Sequence, residues 1–130
     1  MARPKSEHPT ELELRILKIL WDRSPLPVRE IRQGLADGGH VIAHTSTITT
    51  LNAMVKKRYL RRQMQANACL FSPRVAREEV SRRMLTDVVR RVFDGSAKEV
   101  VLSLFDQQEI DVGELKELRS LINRKLKRQS

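Results

Sequence analysis

The chain of 130 residues has a single cysteine, Cys69, so it holds no internal disulfide and no cysteine-rich zinc site. A lone thiol fits a reducing cytoplasm, which is the expected compartment. Nowhere do 18 apolar residues run together, so no membrane insertion is expected. The opening MARPKSEHPTELEL is charged and lacks an apolar core, unlike a secretory signal. There is no internal repeat and no low-complexity stretch. His40 and His44 stand four apart, a metal-ligand spacing on a helix, but no Glu follows His40 and Gly38-Gly39 places it in a loop. No serine or threonine sits in a nucleophile-elbow pattern. The expectation is therefore no enzyme, no metal and no cofactor.

The most telling absence is of acid. Between Asp37 and Glu78 there is no Asp or Glu, while Lys56, Lys57, Arg58, Arg61, Arg62, Arg74 and Arg77 fall inside. The whole chain has 25 Lys+Arg against 16 Asp+Glu, a net charge of +9. Residues 1–72 hold 12 basic and 6 acidic groups, and residues 73–130 hold 13 and 10. A solubilising face usually mixes signs. An acid-free interval instead makes a local positive field, which attracts polyanions, nucleic acid ahead of anionic lipid.

What is present reads as short helices. Thr10 is a plausible N-cap, with Glu11 and Glu13 in the first turn. Leu12, Ile16, Ile19 and Leu20 recur at helical spacing beside Leu17 and Trp21, and Pro25 and Pro27 end that helix near Asp22–Arg23. Pro27 suits the first turn of a second helix with Val28, Ile31 and Leu35 as its stripe, closed by Asp37-Gly38-Gly39. A third helix is expected from about Ala43–Thr45 to Lys57, with Ile48, Leu51, Met54 and Val55 apolar. At 100° per residue from Leu51, its far side carries Thr45, Ser46, Thr49, Ala53 and Lys56, with Asn52 at the flank. The β-branched run TSTITTL also suits a strand, but apolar spacing continuing to Met54 and Val55 favours helix. Small hydroxyls and an amide are poor helix formers, and readout in a major groove is one good reason to have them there.

Two short runs, Tyr59–Met64 and Ala68–Ser72, flank the polar turn Gln65-Ala66-Asn67 and read as a β-hairpin closed by Pro73. Three helices and a hairpin make a winged helix-turn-helix, in which the third helix enters the major groove and the hairpin lies along the backbone. The fold class is mainly α with a small β-hairpin. A winged helix-turn-helix DNA-binding domain (1–73) is followed by a three-helix dimerisation region (74–130).

In that second region Val80, Met84, Val88 and Val92 recur at intervals of four. Gly95-Ser96 breaks the chain before a short helix with Val100, Val101, Leu104 and Phe105. A last helix from about Asp111 carries Leu115, Leu118, Leu121, Ile122 and Leu126, and the basic tail after it is expected to fray. These helices have little volume to bury one another within one chain. They suggest a homodimer joined through Val88, Val92, Val101, Leu104, Phe105, Leu115, Leu118 and Ile122, with a self-contained helical cap as the alternative.

Leu14–Trp21, then Pro25–Ile31, then Thr49–Lys57, Phe71-Ser72-Pro73, Gly95-Ser96 and Val101–Phe105 fall in the order of a known set. The chain resembles the penicillinase and methicillin-resistance repressor family over about residues 9–123. The resemblance implies a homodimeric bacterial repressor, each winged helix binding half of a palindromic double-stranded DNA operator. It also implies a membrane-bound sensor metalloprotease that triggers cleavage in the dimerisation region; the matching position is Ser103-Leu104. The family-matched DNA positions are Thr45, Ser46, Thr49, Ala53 and Lys57, with Arg61 or Arg62 on the hairpin. There are departures. Ala53 stands where the family often has Arg, Arg58 where it has Gly, and Ser103-Leu104 where antibiotic-linked members have Asn–Phe. The copper-responsive branch's cysteine cluster is missing.

The expected mechanism is positioning plus readout. Lys56, Lys57, Arg61 and Arg62 meet phosphates, while Thr45, Ser46, Thr49 and Asn52 reach base edges or thymine methyls. Roughly eight neutralised phosphates per dimer give a log K against log salt slope of about −7. An effector-sensing regulator and a winged-helix module that binds protein are the competing readings. Cys69, in the hairpin's second strand, reads as a small buried apolar residue more than as a redox sensor.

Overall fold

The computed structural model describes residues 8–130, which fold as α1 (Glu11–Asp22), β1 (Leu26–Pro27), α2 (Val28–Asp37), α3 (His44–Lys56), β2 (Leu60–Gln65), β3 (Ala68–Pro73), α4 (Arg77–Val92), α5 (Ala97–Gln107) and α6 (Val112–Gln129). The sheet is antiparallel with order β1-β3-β2. Three helices and a three-stranded sheet with β2 and β3 as its hairpin are the winged helix-turn-helix. The short strand β1 was not expected. Pro27 caps α2 from outside it, and Leu26 pairs with Phe71. A proline is tolerated there because this strand lies at the sheet edge.

The helices begin where the local chemistry allows. Thr10 closes a capping box on α1: its Oγ1 accepts from the Glu13 N–H at 3.2 Å, and its own N–H donates to Glu13 Oε1 at 2.8 Å. The β2–β3 hairpin turns on Ala66 and Asn67, with φ of 50° and 65°, the two-residue geometry that matches strand twist. The Arg58 backbone, just after α3, has φ 68° and is left-handed. A glycine would be unstrained at this position.

The core gathers Ile16, Leu17 and Leu20 from α1, Ile31 and Leu35 from α2, Leu51 and Met54 from α3, and Leu26, Leu60 and Phe71 from the strands. Burying each such side chain stabilises by about 1.5–3 kcal/mol. Leu12 and Ile19, expected on the buried stripe of α1, are only partly covered, and Leu17 takes the interior place. Thr47 is fully buried, which the apolar pattern did not show; its hydroxyl donates to the Ala43 carbonyl at 2.9 Å.

The chain divides into two units between Leu85 and Thr86. The first unit includes the start of α4. There Trp21 Nε1 donates to the Val75 carbonyl at 2.8 Å, Arg77 lies 5.5 Å from the Trp21 ring centroid, and Val80 is buried. In the second unit Ser96 caps α5 and Asp111 caps α6. Helix α6 continues to Gln129, through the tail expected to fray. No residue after Val80 is buried. Among the described residues no helix is long and apolar enough to cross a membrane.

Candidate nucleic-acid interface

Helix α3 is held from behind and presents its polar side. Leu51, Met54 and Thr47 are buried, while Thr45, Ser46, Thr49, Asn52, Lys56 and Lys57 are exposed and Ala53 is half-buried. Its N-cap, Ala43, supplies no side-chain bond to the first-turn amides. His44 opens the helix and His40 lies in the preceding loop. Among the described residues no three His, Cys, Asp or Glu gather to hold a metal.

The hydroxyls on the presented side differ in state. Thr49 Oγ1 donates to the Thr45 carbonyl at 3.0 Å, and Thr50 Oγ1 donates to the Ser46 carbonyl at 2.9 Å. The Thr45 and Ser46 hydroxyls make no such bond among the described residues, so they face solvent as donors.

The wing joins this surface through β2. Arg61 and Arg62 are both exposed, and Arg62 Nη2 donates to Asn52 Oδ1 at 2.6 Å. Since the partner is a neutral amide, Arg62 keeps its full charge beside α3. The Asn52 carbonyl oxygen thereby accepts one bond from the wing, and the exposed side chain keeps its amide N–H groups as donors.

Lys57 was expected among the phosphate contacts; its ammonium lies 2.8 Å from Glu13 Oε2. Sequence reasoning placed Glu13 only as a favourable charge in the first turn of α1. In the structure its side chain is 4% exposed, with one carboxylate oxygen capping α1 and the other holding the end of α3. The spacing Thr10-x-x-Glu13 is the signal that could have shown half of this, because a capping box draws the acid inward. Nothing local in sequence points from Glu13 to Lys57. The neighbouring Tyr59 phenol is pushed above its ordinary value of 10.0, first by burial and then by the Glu13 charge, with Lys57 and Arg83 opposing. On the outer face of α1, the Arg15 hydrogen bond and charge hold Glu11 below the ordinary carboxylate value.

The positions expected at a dimer contact lie on α4, α5 and α6. Val88, Val92, Val101, Leu104, Phe105, Leu115 and Ile122 are exposed and Leu118 is half-buried. Ser103 and Leu104 sit inside α5, where Ser103 Oγ accepts from Gln107 Nε2 at 3.3 Å.

A curated relative, the penicillinase repressor of Staphylococcus aureus, is 21% identical over 108 residues, 83% of this chain and 85% of that protein. A solved structure, a mutant of ZitR from Lactococcus lactis, covers 99% of this chain and 81% of its own at 14% identity and a TM-score of 0.46. The family model described as penicillinase repressor matches residues 9–124, and with it the chain belongs to the penicillinase repressor family, DNA-binding regulators of transcription rather than enzymes.

Proposed function

We propose that the protein is a homodimeric, cytoplasmic transcriptional repressor that binds a palindromic operator with α3 in the major groove and the β2–β3 wing on the backbone. One observation carries this reading. Within the acid-free interval 38–77, Thr45, Ser46, Thr49, Asn52 and Lys56 on α3 and Arg61 and Arg62 on the wing are all exposed, and the Arg62–Asn52 bond joins the two elements. Lys56, Arg61 and Arg62 contact phosphates and set the register, while Thr45, Ser46, Thr49 and Asn52 read bases and Ala53 lies against the groove. Lys57 serves this surface by tying the end of α3 to Glu13.

The functional division is a DNA-binding part, 1–73, and a dimerising part, 74–130. The exposed apolar side chains Val88, Val92, Val101, Leu104, Phe105, Leu115 and Ile122 support it, because they are unburied within the chain. Dimerisation converts the second half-site contact into an intramolecular one and raises affinity accordingly. Release by cleavage at Ser103-Leu104, with a membrane-bound metalloprotease as the partner, is part of this proposal and rests on the resemblance of Val101–Phe105 to the segment that is cut in the family's antibiotic-linked members, from which this pair departs. The bond lies within α5, so cleavage requires that helix to open locally first.

Selection from randomised duplexes by the full chain tests the reading. Enrichment of an inverted repeat supports it; an unenriched pool that binds equally at low salt refutes sequence-specific repression.

A further inference from the structure

Resting on that reading of α3, we propose that Thr49 reads its half-site through its methyl group, against a thymine methyl, and not by donating its hydroxyl proton. The hydroxyl proton is already spent on the Thr45 carbonyl at 3.0 Å. To donate to a guanine or adenine acceptor, Thr49 would have to break that bond. With its proton bonded back along the helix, Oγ1 can accept but not donate, and the Cγ2 methyl is the group of this side chain suited to meet another methyl. Thymine is the base that offers a methyl in the major groove.

The helix carries its own contrast. The hydroxyls of Thr45 and Ser46, one turn earlier, have no protein acceptor among the described residues and remain able to donate to a phosphate or a base. Thr50 repeats the back-bond, to Ser46, but is half-buried and lies off the presented side. Thr49 is thus the exposed threonine on α3 with its donor committed. Asn52, three residues on, is restricted in the complementary way. Its carbonyl oxygen holds Arg62, so presenting the paired donor and acceptor that recognise adenine bidentately requires that oxygen to share or release this bond.

Two variants of near-equal size separate methyl from hydroxyl. Thr49→Val keeps the methyl and loses the hydroxyl; Thr49→Ser does the reverse. Each is titrated by fluorescence anisotropy against the selected operator and against duplexes in which single thymines are replaced by deoxyuridine, one symmetric pair at a time. For the wild type, one such pair weakens binding about fourfold per half-site, the value of one buried methyl. The Thr49→Val protein is expected to keep that penalty, and Thr49→Ser to bind both duplexes equally. Circular dichroism checks that both variants keep the wild-type helix content. The proposal is overturned if Thr49→Ser keeps the discrimination and Thr49→Val loses it. It is also overturned if an operator is enriched and no deoxyuridine pair affects the wild type. Failure to enrich any operator instead sinks the underlying repressor reading, so the two failures are distinct.

Discussion

Replacing Lys57 by methionine separates two roles that a basic residue beside a recognition helix can have. Glu13 is buried, and its Oε2 has the Lys57 ammonium at 2.8 Å. Removing the lysine leaves that oxygen in the protein without its partner, because Oε1 is already committed to the Thr10 N–H. A hydrogen bond to a charged group contributes about 1.5–3 kcal/mol. Lys57 is 41% exposed, so water screens part of the attraction and the low end, about 1.5 kcal/mol, applies. In a urea titration of the DNA-free protein, with a slope of ~1–3 kcal/mol/M, the midpoint should fall by roughly 0.5–1.5 M. Glu13→Gln should show a comparable loss, and the double variant should lose less than the sum, with a coupling of about 1 kcal/mol. Lys56→Met is the control: that side chain is exposed and unpaired among the described residues, so its midpoint should move by less than about 0.5 kcal/mol equivalent. On DNA the order reverses. Lys56→Met should flatten the salt dependence of a dimer by about 2 in slope, and Lys57→Met should leave it unchanged. An unchanged urea midpoint for Lys57→Met, together with a flattened slope, would refute the assignment and return Lys57 to the phosphates.

Other outcomes follow from single features. Arg58→Gly removes a left-handed non-glycine at φ 68° and should stabilise the fold by about 1 kcal/mol, read as a higher urea midpoint. Tyr59 is the only tyrosine, so absorbance near the phenolate band reports it alone. It should ionise above 10.0, and the elevation should shrink but persist in Glu13→Gln, because burial is its first cause. The folded form holds this proton more tightly than the unfolded chain, so stability should be constant below about pH 10 and decline as pH rises beyond it. Asn52→Asp puts a carboxylate on the presented side of α3; it should leave the urea midpoint nearly unchanged and weaken both duplexes, the operator more than random DNA because a base-reading amide is lost as well. Phe105→Asp should shift sedimentation from dimer to monomer, and a dimer that persists with full operator affinity would contradict the α5 contact.

The parts of the fold that depend on neighbours in sequence were legible there. Helices α1 and α3 fall where capping and apolar spacing put them, and the hairpin follows from two short runs about Gln65-Ala66-Asn67. β1 was not legible, since a two-residue strand has no period and gains its identity from pairing with Leu70 and Phe71, more than forty positions away. Thr47 escaped for another reason. Hydropathy counts its hydroxyl as polar, yet a threonine that donates to the carbonyl four residues back can be buried at little cost. The charge pattern pointed to the proposed surface, but it gave every cation equal weight. Which cations are spent internally is a tertiary fact: Glu13 and Lys57 meet across 44 positions.

That distinction changes the expected electrostatics of binding. Counting Lys56, Lys57, Arg61 and Arg62 in both subunits gives roughly eight neutralised phosphates and a slope of about −7. Lys57 already faces a buried carboxylate, so turning to DNA would release few counterions and would strand Glu13. Arg62 is different, because its partner Asn52 is neutral and its charge remains uncompensated. Lys56, Arg61 and Arg62 then make roughly six contacts per dimer, and the slope falls to about −5. Anisotropy titrations on one operator over a range of potassium chloride concentrations measure it directly. A slope near −7 that drops by about 2 in Lys57→Met would mean that the ion pair opens on binding, and that the energy holding α3 to α1 is exchanged for a phosphate contact. A slope near −5 that does not respond to Lys57→Met would mean that the helix enters the groove already braced.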